Sequence, residues 1–178
     1  MIEETGRGIP SNHPVRQLFR QLTERGMQQA HLDDHETAAY LTNLLTSFIH
    51  VENLYRIRGP AGERLEYLVD IIARASESMS PSVRREYYKQ IGDFTLFMLG
   101  LYPESLDRPR RPIGANYYAA QGRRSYSIVA SIESPRPATA LYRRLSDQFE
   151  QCVLGLNWVK LYMHDPFYQY MLREFGIT

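Results

Sequence analysis

Apolar residues recur along most of this chain at steps of three and four, the spacing that gathers them on one face of a helix. Val15, Leu18, Phe19 and Leu22 open the pattern. Ser11, Asn12 and Pro14 precede them as capping and first-turn residue types, and Gly26 is the expected stop. A second helix is predicted from an N-cap at Asp33, with Glu36 three residues on as in a capping box. It carries Leu41, Leu44, Leu45, Phe48, Val51 and Tyr55, and ends before Gly59-Pro60. A third begins near Gly62, with Leu65, Leu68, Val69, Ile72 and Ala75 on its inner face.

Ser80-Pro81 repeats the cap-and-proline signal and starts a fourth helix that reaches about Tyr102. Its second half, from Phe94, is apolar nearly all round, the mark of a central helix covered on several sides. Gly92 and Gly100 weaken it, so a neighbouring helix is expected to approach closely there. A fifth helix starts near Ile113 or Gly114 and ends before Pro135. It is rich in small residues and is expected to pack on the fourth. Leu141, Leu145, Phe149, Cys152, Leu156, Val159 and Met163 then form one stripe, read as a sixth helix of about six turns. Asp165-Pro166 caps a last helix carrying Phe167, Tyr170, Met171 and Phe175.

No segment shows strand alternation. The prediction is an all-α, single-domain helical bundle of about six or seven helices with a central apolar fourth helix. Residues 1–10 read as a flexible tail and 11–178 as the domain. Leu145, Phe149, Cys152, Leu156, Phe94 and Met98 are expected in the core.

Composition narrows function mainly by exclusion. The net charge of +1 supplies no global field for nucleic acid or an anionic surface. Apolar runs are too short to cross a membrane, and the N-terminus has no secretory apolar stretch, so a cytoplasmic location is expected. A single cysteine, Cys152, excludes an intrachain disulfide, and its place on an apolar stripe reads as a buried structural thiol. Arginines outnumber lysines 19 to 2, consistent with coding bias, and there are 13 tyrosines.

His31, Asp33, Asp34, His35 and Glu36 cluster as ligand types, and His31 and His35 have HxxxH spacing. An N-cap at Asp33 would leave His31 outside the helix, so these two remain weak metal candidates and capping is the preferred reading. No ExxH pair supports a di-iron bundle, and His13, His50 and His164 read as surface or satisfied histidines rather than haem ligands. Phosphate-loop and nucleophile-elbow motifs are missing. No cofactor is assigned.

Asp93 stands where the fourth helix turns wholly apolar and needs a partner, because an unpaired buried charge is very costly. The expected partners are Arg111, Arg123, Tyr117 or Tyr118. Residues 103–126 interleave arginines (108, 110, 111, 123, 124) with Tyr117, Tyr118 and Tyr126, a composition suited to acidic ligands or partners.

The stretches GDFTLFMLGLYPESL (92–106) and NYYAAQGRRSY (116–126), with a looser fit at LYMH…GIT (161–178), resemble a pattern in an uncharacterised family of bacterial all-helical proteins. In that pattern Asn116 replaces an acidic residue and Arg123 a glycine. The resemblance implies a shared site or packing motif, and no activity.

The leading expectation is a non-enzymatic binding or regulatory protein, its partner an unknown protein or small molecule. It would act through Asp93, Glu104, Arg111, Tyr117, Tyr118, Arg123, Arg124 and Tyr126. A small-molecule, metal or haem bundle is the alternative, and a nucleic-acid module comes third. A homo-oligomer fits as well.

Overall fold

The computed structural model describes residues 10–48, 68–77, 80–106, 113–132 and 136–174. Among them are eight α-helices and no strand: α1 (Pro14–Gln29), α2 (His35–Phe48), α3 (Leu68–Glu77), α4 (Pro81–Leu101), α5 (Ala115–Ser131), α6 (Arg136–Asp147), α7 (Phe149–His164) and α8 (Pro166–Glu174). A 3-10 turn, Pro103–Ser105, follows α4. Residues 1–9 of the predicted 1–10 tail, the end of the second helix and the start of the third lie outside the described residues.

The all-α reading and the central fourth helix hold. Every residue of α4 from Gln90 to Leu101 is buried except Met98, which is half-buried against expectation. The helix packs against α2, α3, α5 and α7. Its glycines serve the close approaches foreseen for them. A Cβ at Gly92 would lie 2.6 Å from a Tyr126 ring carbon, and one at Gly100 would lie 2.5 Å from Leu156 Cβ. From the opposite side, a Cβ at Gly122 would lie 2.3 Å from the Phe149 ring and 2.5 Å from the Thr95 hydroxyl. α4, α5 and α7 therefore meet at ring-to-backbone distance. On α5, Tyr118, Gly122, Ser125, Tyr126 and Val129 make the buried inner face.

Four details depart from the sequence reading. Gly26 does not end α1; it faces α7, where an added Cβ would meet the Gly155 carbonyl oxygen at 2.4 Å. The helix runs to Gln29 and closes with a Schellman turn, Leu32 N–H to the Met27 carbonyl (2.9 Å) and His31 N–H to the Gln28 carbonyl (3.1 Å). His31, at φ 55°, occupies the left-handed position where glycine is usual. Secondly, Asp34, not Asp33, caps α2: its Oδ2 accepts from Thr37 N–H at 2.9 Å. Glu36 is thus one position short of closing a capping box. Thirdly, Val69 on α3 is exposed, and Leu68, Ile71 and Ala75 make the buried face. Lastly, the single long sixth helix is two, α6 and α7. The backbone bends at Gln148 (φ −112°, ψ 28°), so that α6 packs on α5 while α7 packs on α1 and α4. Leu145, Phe149, Cys152, Leu156 and Val159 stay fully buried across the bend.

Candidate functional site

Asp93 is 5% exposed and is the hub of a polar cluster built from four helices. Its position follows from local rules. Lys89 lies one turn earlier on α4, the spacing at which side chains meet, and its ammonium donates to Asp93 Oδ2 at 2.8 Å. Gly92, beside Asp93, leaves space for the Tyr126 ring of α5, whose hydroxyl donates to Oδ1 at 2.9 Å. Tyr40 of α2 donates to the same oxygen at 2.5 Å. Tyr142 of α6 closes the group, edge-on to Tyr40 with ring centroids 5.7 Å apart and 6.0 Å from Tyr126.

The electrostatics of the cluster reinforce one protonation pattern. Burial, and next the Asp93 charge, push the Tyr40 and Tyr126 hydroxyls well above a phenol's usual range. Burial also raises Tyr142. The Asp93 charge raises Lys89 against the opposing effect of its own burial. At neutral pH Tyr40 and Tyr126 are therefore neutral donors and Lys89 a cation, all three directed at one carboxylate. Such a set holds helices in register; it offers no free base or readily ionised nucleophile. Cys152 is no nucleophile either, because burial pushes its thiol up to about 12.

The expected partners of Asp93 need correction. α5 reaches it through Tyr126, because Gly92 faces that ring. Tyr118 is buried against Phe94, ring centroids 6.3 Å apart, and Tyr117 is half-buried. Arg123 is directed to α7, where its guanidinium pairs with Glu150 at 3.2 Å. Arg124 is exposed. Arg111, with Arg108 and Arg110, lies outside the described residues. Glu104 pairs with Lys160 at 2.5 Å, and that hydrogen bond lowers its pKa.

The histidines fall as capping or surface groups. His13 caps α1, its Nδ1 accepting from Val15 N–H at 3.3 Å. His31, His35 and His164 are exposed, and His50 lies outside the described residues. His31 stands in the turn before α2 while His35 opens that helix, so they do not share a helix face. Among the described residues no three His, Cys, Asp or Glu side chains group as metal ligands.

A second feature was not singled out in the sequence. α7 is apolar nearly all round, and the face turned away from the core presents Leu154 (46% exposed), half-buried Trp158 and Leu161 (59% exposed) at i, i+4 and i+7. Residues 99–104 and α5 border this stripe. Asn157 donates to the carbonyls of Leu99 (3.1 Å) and Gly100 (2.7 Å), and the Lys160–Glu104 and Arg123–Glu150 pairs tie the 103–126 region to α7. On the α1 side, Arg25 stacks over Tyr162, 4.5 Å from its ring centroid, and Tyr162 packs on Trp158. The signal for the stripe was present as a second 3-4 spacing opposite Cys152, Leu156 and Val159.

No helix among the described residues is long and apolar enough to cross a membrane. The chain matches no protein-family model, no curated protein and no solved structure.

Proposed function

We propose that the chain is a non-enzymatic, cytoplasmic protein-binding module whose contact surface is the outer face of α7 with its border from the 103–126 region. One observation carries the reading. Leu154, Trp158 and Leu161 form an exposed apolar stripe with ion pairs along one edge, Glu104–Lys160 and Arg123–Glu150. An apolar centre with a polar rim is the anatomy of a protein interface. Tyrosine and tryptophan are the anchors such surfaces favour, and Trp158 stands at the middle of the stripe. The partner chemistry that fits is an amphipathic helix laid along α7, its apolar face inward. In this reading Glu104 and Arg123 act as rim residues, and Tyr117 and Arg124 extend the surface along α5. Asp93 and Tyr126 support the scaffold beneath it.

The test compares proteins captured from the source cell by the wild type and by Leu161→Asp, with Asp70→Ala on α3 as a distant control. Leu161→Asp should lose the captured partner while its helical circular dichroism and melting temperature stay near wild type. Equal capture by both would refute the reading.

A further inference from the structure

α1 and α2 leave an open cleft along their outer seam. Arg16, Arg20 and Glu24 stand at i, i+4 and i+8 on α1, and His35, Ala39 and Asn43 repeat that spacing on α2. All six line a cleft of about 180 Å³ between the two helices. A second hollow of about 110 Å³ adjoins it, sharing the Glu24 and His35 walls and reaching Asp33. The cleft is polarised along its length: Arg16 and Arg20 make one end positive, and Glu24 and Asp33 make the other negative. A hydrogen bond to Asn43 Oδ1 on the facing helix holds the Arg16 guanidinium in place. Arg20 and Glu24 approach each other only to 3.9 Å, too long for a hydrogen bond, and their side chains are 65% and 47% exposed. Such a pair is weak and yields to a better partner at little cost. The depth of the cleft comes from Ala39, an exposed residue whose side chain is too short to fill the space.

We propose that this cleft binds a short zwitterion of the size and chemistry of a tripeptide, its carboxylate on Arg16 and Arg20 and its ammonium on Glu24 and Asp33. The match needs no surplus charge, because cleft and ligand are each balanced and their charged ends are complementary. The lengths agree. Arg16 and Glu24 are about 12 Å apart along α1 at the rise of an α-helix. An extended tripeptide spans about 10 Å. A guanidinium fork fits a carboxylate, and an ammonium has three donors to divide between two acids. Between the ends, the Gln17 amide and the His35 imidazole stand in the walls as hydrogen-bond partners for the peptide groups. The cleft shares no residue with the α7 surface, and neither proposal depends on the other.

Titration calorimetry with trialanine, N-acetyl-trialanine and trialanine amide tests this. Trialanine should bind saturably, and removing either terminal charge should weaken binding about tenfold. Arg20→Gln should weaken trialanine but not the amide, which has no carboxylate to lose. Glu24→Gln should weaken trialanine but not the acetylated peptide. Ala39→Leu places a strong helix former at an exposed position and fills the cleft, so it should abolish binding while helical circular dichroism and melting temperature stay near wild type. Should Ala39→Leu fail to fold, Arg20→Gln and Glu24→Gln, both at exposed positions, carry the test. No saturable binding of trialanine, equal affinity for all three peptides, or undiminished binding by a folded Ala39→Leu would overturn the proposal.

Discussion

Two ionic clusters tie α2 to the rest of the bundle, and they differ in almost everything but chemistry. Around Asp93, a carboxylate meets Lys89, Tyr40 and Tyr126 in the interior. At the other site, Arg144 of α6 reaches Asp34 at 3.2 Å and also pairs with Glu36. All three of these side chains are a third to a half exposed. Water screens the Arg144 cluster and would solvate either partner if the other were lost. At Asp93 water cannot take that role, so each missing partner leaves a charge or donor stranded. The same contact list therefore implies strong dependence in one place and weak dependence in the other.

Alkali should break the contrast most completely. Tyr40 and Tyr126 are raised above the ordinary 10.0, Lys89 above 10.5, and Cys152 from 9.0 to about 12. Each group holds its proton longer in the fold than in the unfolded chain. Their stability is thus full below the unfolded values and lost as pH rises through the folded ones. Helical circular dichroism should collapse on the alkaline side together with a late rise in tyrosinate absorbance. Completion of that rise near the ordinary phenol value, with helicity intact, would contradict the burial of the cluster.

Asp93→Ala is expected to cost about 3–5 kcal/mol in urea denaturation, because it strands the Lys89 ammonium and two phenol hydroxyls. A cost below about 1 kcal/mol would place Asp93 with the exposed cluster instead. Gly92→Ala sharpens the picture without touching a charge. The new methyl would overlap the Tyr126 ring, so a loss of about 1–3 kcal/mol is expected from overpacking. Adding Tyr126→Ala should relieve that overlap, so the two costs should not add.

Arg144→Ala should have the smallest effect, about 0.2–1 kcal/mol and shrinking with added salt. Its pH signature has the opposite sign. Burial alone would raise Asp34, but hydrogen bonds from Thr37 and the Arg144 charge hold it below 3.8. Its contribution is present above that value and lost as pH falls through the lower folded one. The wild type should therefore lose more stability than Arg144→Ala on the acid side, measured as the urea midpoint against pH.

What the sequence made legible follows from how local each cause is. The stripes on α4, α5 and α7, and the close approach at Gly92 and Gly100, depend on spacing within one helix and could be read. The cap at Asp34 could not be separated from Asp33, because both residues are equally good caps and tertiary contact with Arg144 decides. The bend at Gln148 was hidden because the apolar steps 145, 149, 152 and 156 continue through it without a break. At Asp93 the need for a partner was readable, and so was the i, i+4 offer from Lys89, although only the first was taken up. Tyr40 was not readable: it sits 53 positions away, and nothing in the α2 pattern marks its single tyrosine as a partner for a carboxylate. The outer stripe of α7 was overlooked because its inner stripe already accounted for the helix.

The crossing of α1 and α7 at Gly26 and Gly155 has a consequence in the order of events during synthesis. α1 leaves the ribosome while more than a hundred residues are still to be made, and its docking face has no counterpart until α7 appears. The α4–α5 hairpin, close in sequence, can assemble meanwhile. Closing the longer loop adds little entropy, since that cost grows only with the logarithm of length, but it imposes a wait. During that wait the buried face of α1 around Leu22, Gly26 and Met27 is open to misdirected contacts or to a chaperone. Its narrow glycine surface, which accepts a helix backbone and little else, discriminates against the wrong ones.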